Sequence, residues 1–278
     1  VASGRTVAFQ FVGDLFWLFA PGVRADVEHN QRRALPADAT AREVSRSSRL
    51  AMRNLCKIYV DEFRTPGLSH DEFFSRIDIV GMEHLHRTMK EGRGAIVTTA
   101  HFGAPQIVAQ ILTVLEYPAV TVVEHTKPEA IFRFMSRLRA SRGLRLISSD
   151  SAMLPLVRTL QREKGVVALA VDRDVTGSGI WVPFMGEETR MPDGAVRLAL
   201  LTQAPLLVAH CQRFDDGSFR AWIQPPLELP KRNKHAMEEQ VREGLTALLK
   251  RVELFIREKP EQWVVTVPLW RDGRGMRL

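Results

Sequence analysis

The apolar residues of this chain fall into two alternating rhythms. Short runs of Val, Ile, Leu and Ala, bounded by Gly, Pro or charged residues, recur at Ile77–Val80, Ala95–Ala100, Ala119–Val123, Leu144–Ile147 and Val166–Val171. Runs of that length and β-branched content predict strands covered on both faces. Between them the apolar positions repeat every three or four residues, which predicts helices over Gly81–Glu91, Pro105–Leu115, Glu129–Arg142 and Ser151–Arg162. Strand–helix alternation of this kind predicts an α/β fold: a single domain whose central, largely parallel or mixed sheet carries helices on both faces. Downstream, the pattern predicts a loop over Asp172–Asp193, a helix over Gly194–Thr202, and strands near Leu206–Phe214 and Phe219–Ile223. A long helix from His235 to Glu258 and a last strand over Trp263–Trp270 complete it.

The first 75 residues read differently. Aromatic residues crowd Val7–Gly22 around a single Asp14, followed by a loop at Pro21–Gly22 and a polar segment ending at Pro36. Thr40 and Glu43 have the spacing of a capping box at the head of a long amphipathic helix that reaches Phe63 and is broken by Pro66–Gly67. Residues 1–75 are therefore expected to form an N-terminal helical region and 76–278 the α/β core, within one structural domain overall. The aromatic segment is a candidate for lying in a membrane interface; a first helix folded onto the core is the alternative. No window holds the ~20 apolar residues of a spanning helix, and the chain opens on Val1 rather than Met, which leaves room for residues upstream.

Composition narrows the partners. A net charge of +7 and a pI near 9.8 favour anionic ones: nucleic acid, an acidic membrane surface or a phosphorylated substrate. No nucleic-acid recognition motif is present, so nucleic acid is set aside. Cys56 and Cys211 lie too far apart for a metal-ligand spacing, and no metal site is expected.

Candidate chemistry centres on Gly94–Gln106. His101 stands where a buried strand ends and a helix is about to begin, the place where an α/β fold opens a crevice. Glu124 directly follows the next strand in sequence and is the carboxylate expected to orient the imidazole if the two strands are neighbours. A satisfied structural histidine is the plain alternative. The amides near Phe102–Gly103 are candidate donors to an oxyanion, and Arg173, Arg190 and Arg197 candidate anion binders. Trp181, Phe184 and Met185 are candidates to floor an apolar tunnel, with a hydrophobic plug into the core as the alternative. No GxxxxGK loop and no GxSxG elbow occur, which disfavours nucleotide hydrolysis and a serine hydrolase.

Four separated blocks, HFG after its strand, VEHTKPEAIFRFMSRLRASRG, VDRDVTGSGIWVPFMGEETRMPDGAVRLAL and PEQWVVTVPLW, together resemble the bacterial lysophospholipid-type acyltransferase superfamily over about residues 30–271. Within it they resemble the branch of lipid A late acyltransferases and phosphatidylinositol mannoside acyltransferases, and the latter more. The resemblance implies a glycerol-3-phosphate acyltransferase-like fold. It also implies fatty acyl transfer from acyl-CoA or acyl carrier protein, a co-substrate with no cofactor, to a hydroxyl of a membrane glycolipid. A phosphatidylinositol mannoside is the implied acceptor and a lipid A-type lipid the alternative; the implied place is the cytoplasmic face of the bacterial inner membrane, peripherally bound to its anionic surface.

The family signature, a histidine with an acid five residues on, is met by His101 but broken by Gln106. Glu124 matches the acid that partners the histidine in the mannoside-acylating branch. Arg139 and Asp172 match its further active-site positions. The resulting substrate-binding set is Gly103, Gln106, Arg139, Asp172, Arg173 and Arg190, and for the implied acyl chain the apolar side chains of Pro105–Leu115 and Trp181–Met185 are the candidates to line a groove. A thioesterase-like hydrolase and an inactive lipid-binding relative are the competing readings.

Overall fold

The computed structural model describes residues 2–270 other than 65–66, 142 and 150–151. The expected α/β architecture is present. Four helices come first, α1 (Ala2–Phe19), α2 (Pro21–Ala34), α3 (Ala41–Arg64) and α4 (His70–Phe74). The alternating part follows: β1 (Ile77–Val80), α5 (Met82–Lys90), β2 (Ala95–Thr99), α6 (Pro105–Val114), β3 (Ala119–Val123), α7 (Glu129–Ala140), β4 (Arg145–Ser148), α8 (Met153–Gln161) and β5 (Val166–Ala170). A hairpin of β6 (Ile180–Phe184) and β7 (Glu187–Met191) precedes α9 (Gly194–Thr202), β8 (Leu206–Arg213), β9 (Phe219–Ile223) and α10 (Met237–Glu258). The expected helix ends at Arg142 and Ser151 and the break at Pro66 fall outside the described residues.

Seven strands form one sheet in the order β1-β9-β8-β2-β5-β3-β4; every pairing is parallel except β8 with β9. The two-residue period of a strand sorts its side chains between two cores. Ile96, Val167, Val120, Leu206 and Val208 face α8, α9 and α10, whereas Ala95, Val97, Val166, Ala168 and Leu207 face α5 and α6. A third cluster, with Val27, Ala51, Met52 and Val264, joins α2 and α3 to the C-terminal segment.

Three expectations give way. Residues 21–34 form α2 rather than a loop and a polar segment, because Pro21 sits at the helix start, where its missing N–H costs nothing. The loop Asp172–Asp193 contains the β6–β7 hairpin, turned at Met185–Gly186, both with positive φ. Trp263–Trp270 is not a strand. It is an extended tail after a short 3-10 turn (Pro260–Gln262), held by the Phe102–Trp263 bridge and by Asn30, whose amide donates to the carbonyls of Val265 (2.9 Å) and Val267 (2.8 Å).

Candidate active site

His101 follows β2 at its carboxyl end, and its ring is fixed from below. Its Nδ1 lies 2.8 Å from Oδ1 of Asp172, and its own backbone N–H donates to Oδ2 of the same carboxylate at 2.9 Å. The Trp263 indole N–H donates to Oδ2 as well, at 2.9 Å. Asp172 is fully buried. Burial alone pushes its carboxyl up, but the His101 ring and amide and the Trp263 indole outweigh burial and hold it below its ordinary value. An ionised carboxylate with three donors therefore sits under the imidazole, makes Nδ1 the protonated nitrogen, and leaves Nε2 as the nitrogen available to a substrate.

Strand order explains why Asp172 and not Glu124 holds the ring. β5 lies between β2 and β3, and the β2–β5 register pairs Thr99 with Ala170, so the residues two steps beyond, His101 and Asp172, come out side by side. Glu124 leaves a strand one place further out, about 10 Å from β2 at the usual strand spacing. Its carboxylate instead forms an ion pair with Arg173. The expected His101–Glu124 pairing is thus replaced by His101–Asp172, although Glu124 shares the cavity wall with His101.

Other expected roles are also reassigned. The amides of Phe102, Gly103 and Ala104 donate to the carbonyls of Ala100, Gln262 and Cys211 at 2.7, 2.8 and 3.0 Å, so none is available to an oxyanion. Gly103 serves the backbone instead. With φ +60° and a would-be Cβ 2.0 Å from the Cys211 carbonyl, it lets the chain after His101 press against β8. Gln106 donates its amide to the Ile58 carbonyl of α3 (3.4 Å), while the imidazole Nδ1 is taken by Asp172. Arg190 donates to the Gly179 carbonyl and braces the hairpin. Ile107, Val108, Ile111 and Leu112 of α6 are buried against the opposite sheet face, and Val182, Phe184 and Met185 are core, so neither segment supplies the expected acyl groove.

A cavity of about 1200 Å³ opens above the ring. Its apolar wall comes from Leu55, Tyr59 and Phe63 of α3, Ile131, Phe132 and Met135 of α7, Met153, Leu154 and Leu156 of α8, and the ends of β3 and β5. Its polar side carries Arg139, Arg173, Asp174, Thr176, Ser178 and Arg197. Arg139 pairs with the buried Glu62 of α3, and Arg197 with Asp193 and Glu238. Arg173 differs: beyond its pair with Glu124, its Nε is buried with no hydrogen-bond partner among the described residues. Trp263 escaped sequence reasoning because nothing in PEQWVVTVPLW signals that its indole will meet a carboxylate 91 residues earlier. No group of residues able to hold a metal ion occurs among the described residues, nor any helix long and apolar enough to cross a membrane.

Comparison with known proteins gives concordant results. A model of the family "Bacterial lipid A biosynthesis acyltransferase" matches residues 3–272. The chain is 28% identical over 237 residues to a phosphatidylinositol mannoside acyltransferase of Mycolicibacterium smegmatis, covering 83% of this chain and 75% of that protein. It is 30% identical over 213 residues to the protein of the same name from Mycobacterium tuberculosis H37Rv, covering 75% of this chain and 65% of that one.

Proposed function

This chain belongs to the bacterial lipid A biosynthesis acyltransferase family and is an acyltransferase, and on that premise we propose that it moves a fatty acyl chain from a thioester, acyl-CoA or acyl carrier protein, to a hydroxyl of a phosphatidylinositol mannoside-type glycolipid, with His101 as general base. The observation that carries this is the imidazole seated on a buried, ionised Asp172 and facing a cavity with one greasy and one polar side. Nε2 of His101 takes the proton from the acceptor hydroxyl, and the oxygen attacks the thioester carbonyl. The C–O bond forms, the tetrahedral intermediate collapses with loss of the C–S bond, and the imidazolium returns its proton to the leaving thiolate. Asp172 fixes the tautomer and stabilises the imidazolium without itself becoming protonated.

With the amides after His101 engaged, the guanidinium of Arg173 is the group suited to the developing oxyanion, and Glu124 positions it through their ion pair. The apolar wall accommodates an acyl chain, and the hydroxyls and charges opposite suit a sugar headgroup. A lipid A-type acceptor fits the same chemistry.

The test is product analysis with purified protein, palmitoyl-CoA and a phosphatidylinositol mannoside: acylated glycolipid is expected, and none from His101→Ala. Free fatty acid as the sole product would make the protein a thioesterase. Full activity of His101→Ala would overturn the assignment.

A further inference from the structure

We propose that the rim of the cavity formed by α3, α7 and α8 is the surface by which the protein docks on an anionic bilayer, so that an acceptor enters the site sideways from the membrane; this rests on the glycolipid reading above. Tyr59, Phe63, Ile131, Met153 and Leu154 line the cavity and at the same time stand in solvent, Leu154 81% exposed. Phe134, just outside the lining, is 47% exposed and touches Phe63, with ring centroids 6.0 Å apart. The helix that carries much of this rim, α7, has no buried residue among its twelve. An amphipathic helix with its apolar side turned to an open mouth lacks the burial that normally stabilises such an element.

Charge identifies the occupant. From Thr126 to Arg145 the chain carries one lysine and five arginines against Glu129 alone, a net +5 within a chain whose total is +7. Arg139 and Arg145 are spoken for by Glu62 and Glu163. Arg137 is exposed on α7, and Arg133 is largely exposed though paired with Glu129. Aromatic and aliphatic side chains flanked on the same segment by the exposed Lys127, Arg133 and Arg137 match the interface of a bilayer containing anionic lipid, where apolar groups enter the acyl boundary and cations meet headgroups. An acidic protein partner would match the arginines but not the apolar rim. At the exposed apolar strip Phe11–Phe19 of α1 the neighbouring cations are engaged: Arg49 and Arg53 both pair with Asp14, and Arg24 lies over the Trp17 ring, 4.8 Å from its centroid.

The experiment is co-sedimentation of the full chain with vesicles of phosphatidylcholine containing phosphatidylinositol, comparing wild type, Phe134→Glu/Arg137→Glu, the milder Phe134→Ser, and Phe19→Glu. The charge-reversed pair is expected to weaken binding at least tenfold and Phe134→Ser several-fold, with Phe19→Glu near wild type and wild-type binding weakening as salt rises. Transfer to a detergent-dispersed acceptor is expected to be unchanged in the charge-reversed pair; it reads out the proposed activity separately, so its absence in wild type sinks that activity and leaves the binding result standing. Undiminished vesicle binding by the charge-reversed pair, loss of binding in Phe19→Glu alone, or a raised KM for acyl carrier protein with vesicle binding intact would each overturn the proposal.

Discussion

The carboxylate beneath the imidazole is the residue on which the chemistry turns, and its removal separates it from its rival. Asp172→Asn keeps the shape but loses the charge and leaves the tautomer unspecified, so kcat is expected to fall on the order of 10³–10⁴-fold with KM little changed. Glu124→Gln, acting only through Arg173, is expected to cost on the order of tenfold. Steady-state kinetics on both variants decides: equal losses, or a larger loss at Glu124, would return the histidine's partnership to Glu124. His101 was legible because a lone histidine closing a buried strand is conspicuous in GAIVTTAHFGAPQ. Its partner was not, because two acids follow strands, Glu124 and Asp172, and separation along the chain does not disclose which strand is the neighbour.

A second residue sets an acid limit to stability. His210 is stacked between Trp222 and Phe255, with ring centroids 4.8 and 4.2 Å away, and burial lowers its pKa to about 4. As pH falls below its unfolded value near 6.5, the unfolded chain takes up a proton that the native ring refuses. The contribution of His210 is therefore lost through that window and fully gone below about pH 4, about 3 kcal/mol in all. Urea unfolding across pH 7 to 4 should show this slope in the wild type and a flatter one in His210→Phe.

Among the elements, those announced by local chemistry stand where the sequence put them. The Thr40–Glu43 capping box forms in both directions, Thr40 N–H to Glu43 at 2.7 Å and Glu43 N–H to the Thr40 hydroxyl at 3.3 Å. Thr40→Ala is accordingly expected to lower stability by about 1 kcal/mol, measured by thermal or urea unfolding, with kcat unchanged. Elements that depend on distant partners carry no such local signal. Trp263–Trp270 has strand-like residues, but sheet membership requires a free strand edge, and the tail instead runs past α2 and the end of β2. Pro105–Leu115 and Trp181–Met185 are apolar enough for an acyl wall, but Ile107, Ile111, Val182 and Phe184 pack into the cores on the two faces of the sheet. Apolar composition marks burial, not which burial surrounds a ligand.

For the molecule as a whole, helix α2 and the tail act as a clasp between segments more than 230 residues apart. Asn30, buried, donates to the Val265 and Val267 carbonyls and accepts from the Leu269 N–H at 3.2 Å, and Gln31 donates to the Pro260 and Trp263 carbonyls. Removing the Asn30 amide strands the buried carbonyl of Val265 and the partly buried one of Val267, so Asn30→Ala is expected to cost about 3 kcal/mol. It should also lower kcat several-fold although it touches no substrate, since the tail it secures bears Trp263; unfolding and kinetics measured together test this, and a loss of stability with intact kcat would refute the link. The α/β class was visible in the strand–helix alternation. Closure of the site by the α2-held segment that bears Trp263 was not, because long-range contacts of this kind leave no local pattern.

That closure has a temporal consequence. The indole that steadies Asp172 lies 91 residues after it in the chain, and the Val264 N–H that binds the His101 carbonyl at 2.8 Å follows directly. A nascent chain therefore carries its imidazole and carboxylate before it carries their clamp, and since folding proceeds while translation continues, the order of synthesis makes the pair first and its support afterwards.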